Sequence, residues 1–240
     1  MMTLYLDYVL LPFIKRIRKI WTRKKYEINS CAESFTFNWS DINFNRIAVV
    51  NLLLNNHNNP KYLEIGCASN ALFNSIPIIN KTGVDPVSGG NIRLTSDKFF
   101  EANDHKFDVI FIDGLHTYEQ VRKDVINSFK FLNETGVLVL HDMFPLNWVE
   151  SHVPKISNGA WTGDVWKIAF ELIETPGIEF RLLKIDHGIG VVKCLKGGVN
   201  LRDLTPQLSN EKFSFFHSNI KNLPVYEYTD SMKWLKNISV

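Results

Sequence analysis

The sequence is poor in several features that would otherwise fix its class. Of 240 residues only three are cysteine, Cys31, Cys67 and Cys194, far apart and odd in number, with no CxxC pair and no Cys/His cluster. Neither a disulfide framework nor a structural zinc site fits that pattern, and a reducing, cytoplasmic compartment suits it best. A membrane-spanning run is also missing. The apolar start at residues 4–14 is eleven residues long and holds Asp7 and Pro12, whereas a span needs ~20 apolar residues. Its positive charges follow it rather than precede it, the wrong order for a signal peptide. Net charge is nearly absent, with 27 Lys/Arg against 25 Asp/Glu giving +2.

What is present is a chain with 45% apolar and 22% charged residues, enough for one large domain or a domain with extensions and incompatible with general disorder. The small net charge hides an asymmetry. Residues 1–25 carry seven Lys/Arg against Asp7, a balance of +6, and the remaining 215 residues carry −4. Such a body does not look like a nucleic-acid binder. In the basic segment Leu6, Leu10, Phe13, Ile17 and Ile20/Trp21 recur at helical spacing, giving an apolar stripe beside a cationic face, with Pro12 starting or kinking the helix. Residues 3–25 would then lie on an anionic membrane at the inner face or dock a partner; the alternatives are packing on the protein's own body or on a second copy in a homo-oligomer.

Residues 26–60 read as a connector and one helix near 47–54, stopped by the Asn-rich run before Pro60. Beyond it, short apolar runs at 62–65, 82–84, 107–112 and 136–140 alternate with helical periods at 71–79, 98–103 and 118–132. Runs of this kind, buried on both faces and separated by helices, predict a mostly parallel α/β sheet. A helix at 164–173 capped by Asp164 follows, then two strand-like runs at 179–185 and 190–194, whose tight joint Asp186-His187-Gly188 predicts an antiparallel hairpin. Residues 196–240 show weak periodicity and scattered aromatics and read as a C-terminal extension of uncertain order. The chain thus divides into a basic helix (1–25), a connector and helix (26–60), a catalytic domain (61–195) and a C-terminal extension (196–240).

Ligands of open α/β sheets bind beyond the carboxyl ends of the strands. The first predicted strand ends in Glu64-Ile65-Gly66-Cys67-Ala68-Ser69-Asn70, and the second in Val84-Asp85-Pro86. A carboxylate at Asp85 can accept the hydroxyls of a ribose, but only Gly66 of a G-x-G-x-x-G pattern is present, which argues against a nicotinamide cofactor. A third strand is expected after the Gly89-Gly90-Asn91 turn, and the ends of the fourth and fifth carry Asp113 and His116, then His141 and Asp142. Either aspartate alone could merely cap a turn. Four such residues at adjacent strand ends, beside a ribose site, point to chemistry instead.

At this point the sequence resembles the class I S-adenosylmethionine-dependent methyltransferases, in particular the branch called methyltransferase domain 24, found in sugar, polysaccharide and natural-product pathways. Leu-Glu-Ile-Gly at 63–66, Gly-Val-Asp-Pro at 83–86, Phe-Ile-Asp-Gly-Leu-His-Thr-Tyr-Glu-Gln at 111–120, Val-Leu-His-Asp at 139–142 and Trp-Thr-Gly-Asp-Val-Trp-Lys at 161–167 carry the likeness. It implies a Rossmann-like methyltransferase fold, a mostly parallel seven-stranded sheet with an antiparallel terminal hairpin and helices on both faces. It also implies S-adenosylmethionine as cofactor, with Glu64, Gly66, Cys67 and Ala68 along its methionine end, Asp85 at the ribose, Ser96 and Asp97 near the adenine, and Asp113 facing the amino group or a metal. Ala68 and Asn70 replace glycines of many relatives; Asn adopts left-handed backbone more readily than most residues.

The sequence is also similar to catechol-type and macrocin-type O-methyltransferases, where acids at two adjacent strand ends hold magnesium. Asp113, His141 and Asp142 match that layout with a histidine in place of one acid, so a divalent metal, Mg or Mn, is the implied second cofactor. His116, Asp113 and Asp142 are the implied catalytic set, His116 being the base that takes a proton from an acceptor hydroxyl. Trp161 and Trp166 would stack on a sugar ring, with Asp164 or Lys167 binding its hydroxyls or a phosphate. The expected activity is O-methylation of a small-molecule or glycan acceptor. The rival readings are a methyltransferase-like assembly module without transfer activity and a metal-dependent oxygenase on the same fold.

Overall fold

The computed structural model describes residue 17 and residues 20–238. The N-terminal positions Leu6, Leu10 and Phe13 of the apolar stripe lie outside the described residues.

One seven-stranded sheet organises the chain in the order β2-β1-β3-β4-β6-β5-β7. β1 (Tyr62–Ile65), β2 (Lys81–Val84), β3 (Phe107–Ile112) and β4 (Leu132–Leu140) pair in parallel, as their near-continuous buried runs require. β5 (Ile178–Leu183) and β6 (Ile189–Cys194) form the expected antiparallel hairpin, and β6 also runs antiparallel to β4. The parallel register sets Ile65 beside Ile112 and Ile112 beside Leu140. Three strands therefore end level, and Asp113 and His141 leave the sheet side by side.

The connecting helices take their starts from capping side chains. Asn45 accepts from Ile47 N at the head of α1 (Arg46–Leu54), Thr95 from Lys98 N at α3 (Ser96–Ala102), and Thr117 from Gln120 N at α4 (Tyr118–Phe131). α2 (Ala71–Ser75) stops short of the predicted 71–79, because Ile76 precedes Pro77 and takes extended backbone. A short α5 (Trp148–Ser151) follows β4. Two apolar layers cover the sheet, one around Val121, Trp166 and Phe216, the other around Leu53, Phe73 and Leu235.

Three expectations need correction. The third strand of the expected sheet is reduced to a single bridge, Val84 to Ile92. Gly89 and Gly90 hold left-handed backbone before it and Thr95 starts α3 soon after it, so no length remains for a ladder. The seventh strand is instead β7 (Val225–Tyr226), parallel to β5 on the far edge. Asp164 does not cap the helix at 164–173: that helix, α6, runs Lys167–Ile173 with Trp166 at its cap position. Asp164 accepts from Tyr118 N at 2.7 Å and so supports the start of α4. Residues 196–240 also carry elements, α7 (Thr205–Leu208), α8 (Phe213–Asn219), β7 and α9 (Tyr228–Asn237). Phe216 of α8 is wholly buried, 5.3 Å from Trp166 and 5.4 Å from Phe144. Contacts made by scattered aromatics leave little period to read.

Candidate active site

The turn after β1 brings the backbone close to a neighbouring strand end. Gly66 has φ +88, and a Cβ there would run into the Asp113 carbonyl, so glycine is required. Ala68 (φ +44) and Asn70 (φ +64) are both left-handed. Asn70 is suited to that conformation and its Oδ1 accepts from Gly90 N at 2.6 Å; Ala68 is held by its N–H donating to Asp85 Oδ2 at 2.9 Å. Asp85 Oδ1 accepts from Val87 N and Ser88 N at 2.8 Å each. Burial alone would raise the Asp85 pKa, but these three backbone donors hold it below the ordinary carboxylate value. A carboxylate has about four acceptor sites, so one remains for a ligand hydroxyl. Glu64 is buried and receives the Tyr62 hydroxyl at 2.7 Å, and burial pushes its carboxyl up to about 7.

Asp113, His116, His141 and Asp142 meet beyond β3 and β4. His116 Nε2 lies 3.2 Å from Asp113 Oδ1, and its Nδ1 lies 3.1 Å from Asp142 Oδ2 and 2.9 Å from the Trp161 carbonyl. Burial would lower the His116 pKa, yet the flanking aspartates raise it. His141 is 5% exposed, and its Nδ1 makes no hydrogen bond while facing Asp113 Oδ1 and Asp142 Oδ1 at 3.4 Å each. One donor atom from each of Asp113, His141 and Asp142 lies within 4.8 Å of the others. A buried imidazole nitrogen without a hydrogen bond, aimed between two carboxylates, fits a divalent metal.

A cavity of about 1070 Å³ joins these groups to the Asp85 turn, and Ser96, Asp97 and Cys67 also line it. Its volume is at the upper end of the ~300–1,000 Å³ of an ordinary ligand pocket. Gln120 ties the far wall together, donating to Ser96 Oγ at 3.2 Å, Asp97 Oδ1 at 2.9 Å and Asp124 Oδ1 at 3.1 Å. Burial pushes the Asp124 carboxyl up to about 6.

Trp161 stacks on His116 at 5.0 Å and 20°, with Lys155 5.5 Å above the indole. The other residues expected to bind the acceptor do not reach the cavity. Trp166 is wholly buried in the core, and Lys167, 2% exposed, donates to Asp164 Oδ2 and to the Ser209 carbonyl at 2.9 Å each. Lys155 lines the cavity instead. Arg46, Asp186 and Gln120 were not singled out from sequence. Arg46 and Asp186 are 140 positions apart, so no local pattern signals their pairing.

Residues 63–143 match the family model Methyltransf_24, described as a methyltransferase domain. That segment is a third of the chain. No curated protein matches the sequence. Among solved structures, a protein of Staphylococcus aureus assigned as a caffeoyl-CoA O-methyltransferase shares 18% identity, covering 79% of this chain and 99% of its own, with TM-score 0.45. The Podospora anserina methyltransferase PaMTH1, solved with S-adenosylhomocysteine, shares 18% over 73% and 85%, with TM-score 0.44. MycE of the mycinamycin biosynthetic pathway, solved with Mg, S-adenosylhomocysteine and mycinamycin VI, shares 18% over 59% of this chain and 47% of its own, with TM-score 0.38. This chain spans about half of MycE.

Proposed function

We propose that the chain is an S-adenosylmethionine-dependent O-methyltransferase acting on a hydroxyl of a sugar, nucleotide sugar or glycan intermediate, as in polysaccharide biosynthesis. The observation that carries this reading is His116, fixed on the cavity wall between Asp113 and Asp142 with Trp161 stacked against it. The bound cofactor supplies a methyl group already activated by its sulfonium, so the protein's task is alignment and removal of one proton.

Trp161 O and Asp142 Oδ2 both face His116 Nδ1 and hold the ring proton there. Nε2 is then the atom that takes the acceptor's proton, and Asp113 Oδ1, 3.2 Å away, stabilises the resulting imidazolium. Asp113, His141 and Asp142 would hold a divalent cation, Mg or Mn, which would make an acceptor hydroxyl easier to deprotonate. Glu64, Gly66, Cys67 and Ala68 line the methionine end, Asp85 accepts a ribose hydroxyl, and Ser96 and Asp97 border the adenine. Trp161 and Lys155 border the acceptor side of the cavity, which Trp166, buried in the core, does not reach.

Three free cysteines suit a cytoplasmic setting, and no described helix is long and apolar enough to cross a membrane. Trp21, 71% exposed beside Arg23, Lys24 and Lys25, supports peripheral contact of the basic segment with an anionic membrane face. Transfer of labelled methyl from S-adenosylmethionine to a panel of sugars, nucleotide sugars and glycan oligosaccharides tests the reading. It predicts labelled product from wild type and little from His116→Ala; no transfer to any member of the panel contradicts the acceptor class.

A further inference from the structure

Lys155 stands apart among the charged groups of the cavity. Two permanent cations line that space, Arg46 and Lys155. Arg46 is committed, its Nη1 donating to Asp186 Oδ2 at 2.8 Å. Lys155 is exposed and, among the described residues, pairs with no carboxylate; its ammonium stands 5.5 Å from the centre of the Trp161 ring. The His116 ring lies 5.0 Å from the same indole. Base and ammonium are thus no farther apart than those two contacts allow, a span that one hexose with its phosphate covers. A neutral glycan leaves the ammonium without a counter-charge, and a phosphate on the sugar supplies one.

The surface beyond Lys155 indicates what that phosphate is attached to. Gly159 and Ala160, both exposed, line the cavity and also a second hollow of about 450 Å³. The ridge between the two spaces is therefore low, and a Cβ on Gly159 would meet no atom within 4 Å. Ile20 and Arg23, from the helical residues 20–25, line the second hollow together with Val149 and Ile156. Arg23 lies over the Trp148 ring at 5.7 Å, which fastens the helix beside α5, and among the described residues it too pairs with no carboxylate. The acid of the hollow, Glu150, is occupied, accepting from Leu146 N at 3.0 Å and from Asn147 Nδ2 at 3.1 Å. Next to the hollow the helix presents Ile20 and Trp21, 50% and 71% exposed, beside Lys24 and Lys25. Exposed apolar side chains flanked by cations suit an anionic amphiphile at a membrane surface.

We propose that the acceptor is a sugar carried on a lipid phosphate. Its hydroxyl meets His116 in the cavity, its phosphate pairs with Lys155, and its lipid passes over Gly159 and Ala160 into the hollow beside Ile20 and Arg23, with the basic helix on an anionic membrane surface. The inference rests on the O-methyltransferase reading above and narrows its acceptor class, with Lys155 as the residue that sets specificity.

Equilibrium titrations on the full chain test it with farnesyl phosphate, UDP, inorganic phosphate and farnesol, all in EDTA so that no cation bridges a phosphate to Asp113 or Asp142. Farnesyl phosphate is expected to bind more tightly than each of the others by about 10-fold or more, because it alone fills both the phosphate position and the hollow. Lys155→Gln is expected to weaken that binding by about 10–100-fold, the loss of one charge-assisted contact. Gly159→Phe, which the open space at that position admits, is expected to weaken farnesyl phosphate by about 10-fold and to leave inorganic phosphate unchanged. S-adenosylhomocysteine should bind both variants as it binds wild type, which reports an intact fold. UDP binding as tightly as farnesyl phosphate would make the occupant a nucleotide and overturn the proposal. Equal binding of farnesol, no binding of farnesyl phosphate to wild type, or farnesyl phosphate binding unchanged in Lys155→Gln or in Gly159→Phe would overturn it as well. Absence of S-adenosylhomocysteine binding in wild type would count against the methyltransferase reading instead, so the two failures are told apart.

Discussion

His116 and Trp161 are joined twice: the imidazole Nδ1 lies 2.9 Å from the tryptophan carbonyl, and the two rings stack at 5.0 Å. The carbonyl fixes which nitrogen holds the proton, and the stack fixes where the ring points. A base so held is expected to contribute about 10²–10⁴-fold to methyl transfer. His116→Ala should therefore lose activity on that scale, while calorimetry finds its S-adenosylhomocysteine affinity unchanged.

The same neighbours set a pH dependence. In the metal-free chain burial would lower the His116 pKa, but Asp113 and Asp142 raise it above the ordinary histidine value near 6.5. A base must be neutral to accept a proton, so kcat/KM measured without added metal should rise with pH through an apparent pKa above 6.5 and level off beyond it. In His116→Gln that limb should vanish. A limb that persists unchanged would assign the titration to another group.

Glu64 titrates in the opposite sense for stability. Its folded pKa is about 7 against 4.5 for the free side chain, because burial disfavours the carboxylate. The folded state thus binds more protons between those values. Stability should be fullest below pH 4.5 and fall as pH rises to about 7 through this group. Glu64→Gln should remove that slope and be more stable than wild type at pH 8 by roughly 1–3 kcal/mol, measured by urea unfolding.

Asp164 supports two elements at once, accepting from Tyr118 N at the start of α4 and pairing with the buried Lys167. Asp164→Ala leaves that ammonium without its carboxylate, held by the Ser209 carbonyl and the Tyr118 and Trp166 rings, and should cost about 3 kcal/mol. The effect should appear in unfolding midpoints. A loss of acceptor affinity at full stability would restore the role in acceptor binding that the sequence suggested.

Phe216 gives a direct measure of how far the C-terminal elements belong to the core. It is wholly buried against Trp166 and Phe144, and Phe216→Ala should cost about 3–5 kcal/mol. A cost near zero would make residues 205–238 an appendage.

Much of this site could be read from sequence because it lies at strand ends. The parallel strands announce themselves by short buried runs, and Asp113, His116, His141 and Asp142 each follow one within four residues. The hairpin was legible from Asp186-His187-Gly188, but the pairing of Asp186 with Arg46 was not, since the two come from distant segments. The shrunken third strand and the edge strand β7 escaped for a related reason: a single bridge and a two-residue ladder carry almost no period. Lys155 took the place expected of Lys167 because burial, which periodicity around residue 166 only hinted at, had already committed Trp166 and Lys167 to the core.

Calorimetric titration of S-adenosylhomocysteine into the wild-type chain is the most direct test of the proposed cofactor. Saturable binding at one site per chain is predicted, through the turn at Gly66 and the remaining acceptor position on Asp85. No binding by the folded protein would contradict the assignment of this cavity to S-adenosylmethionine.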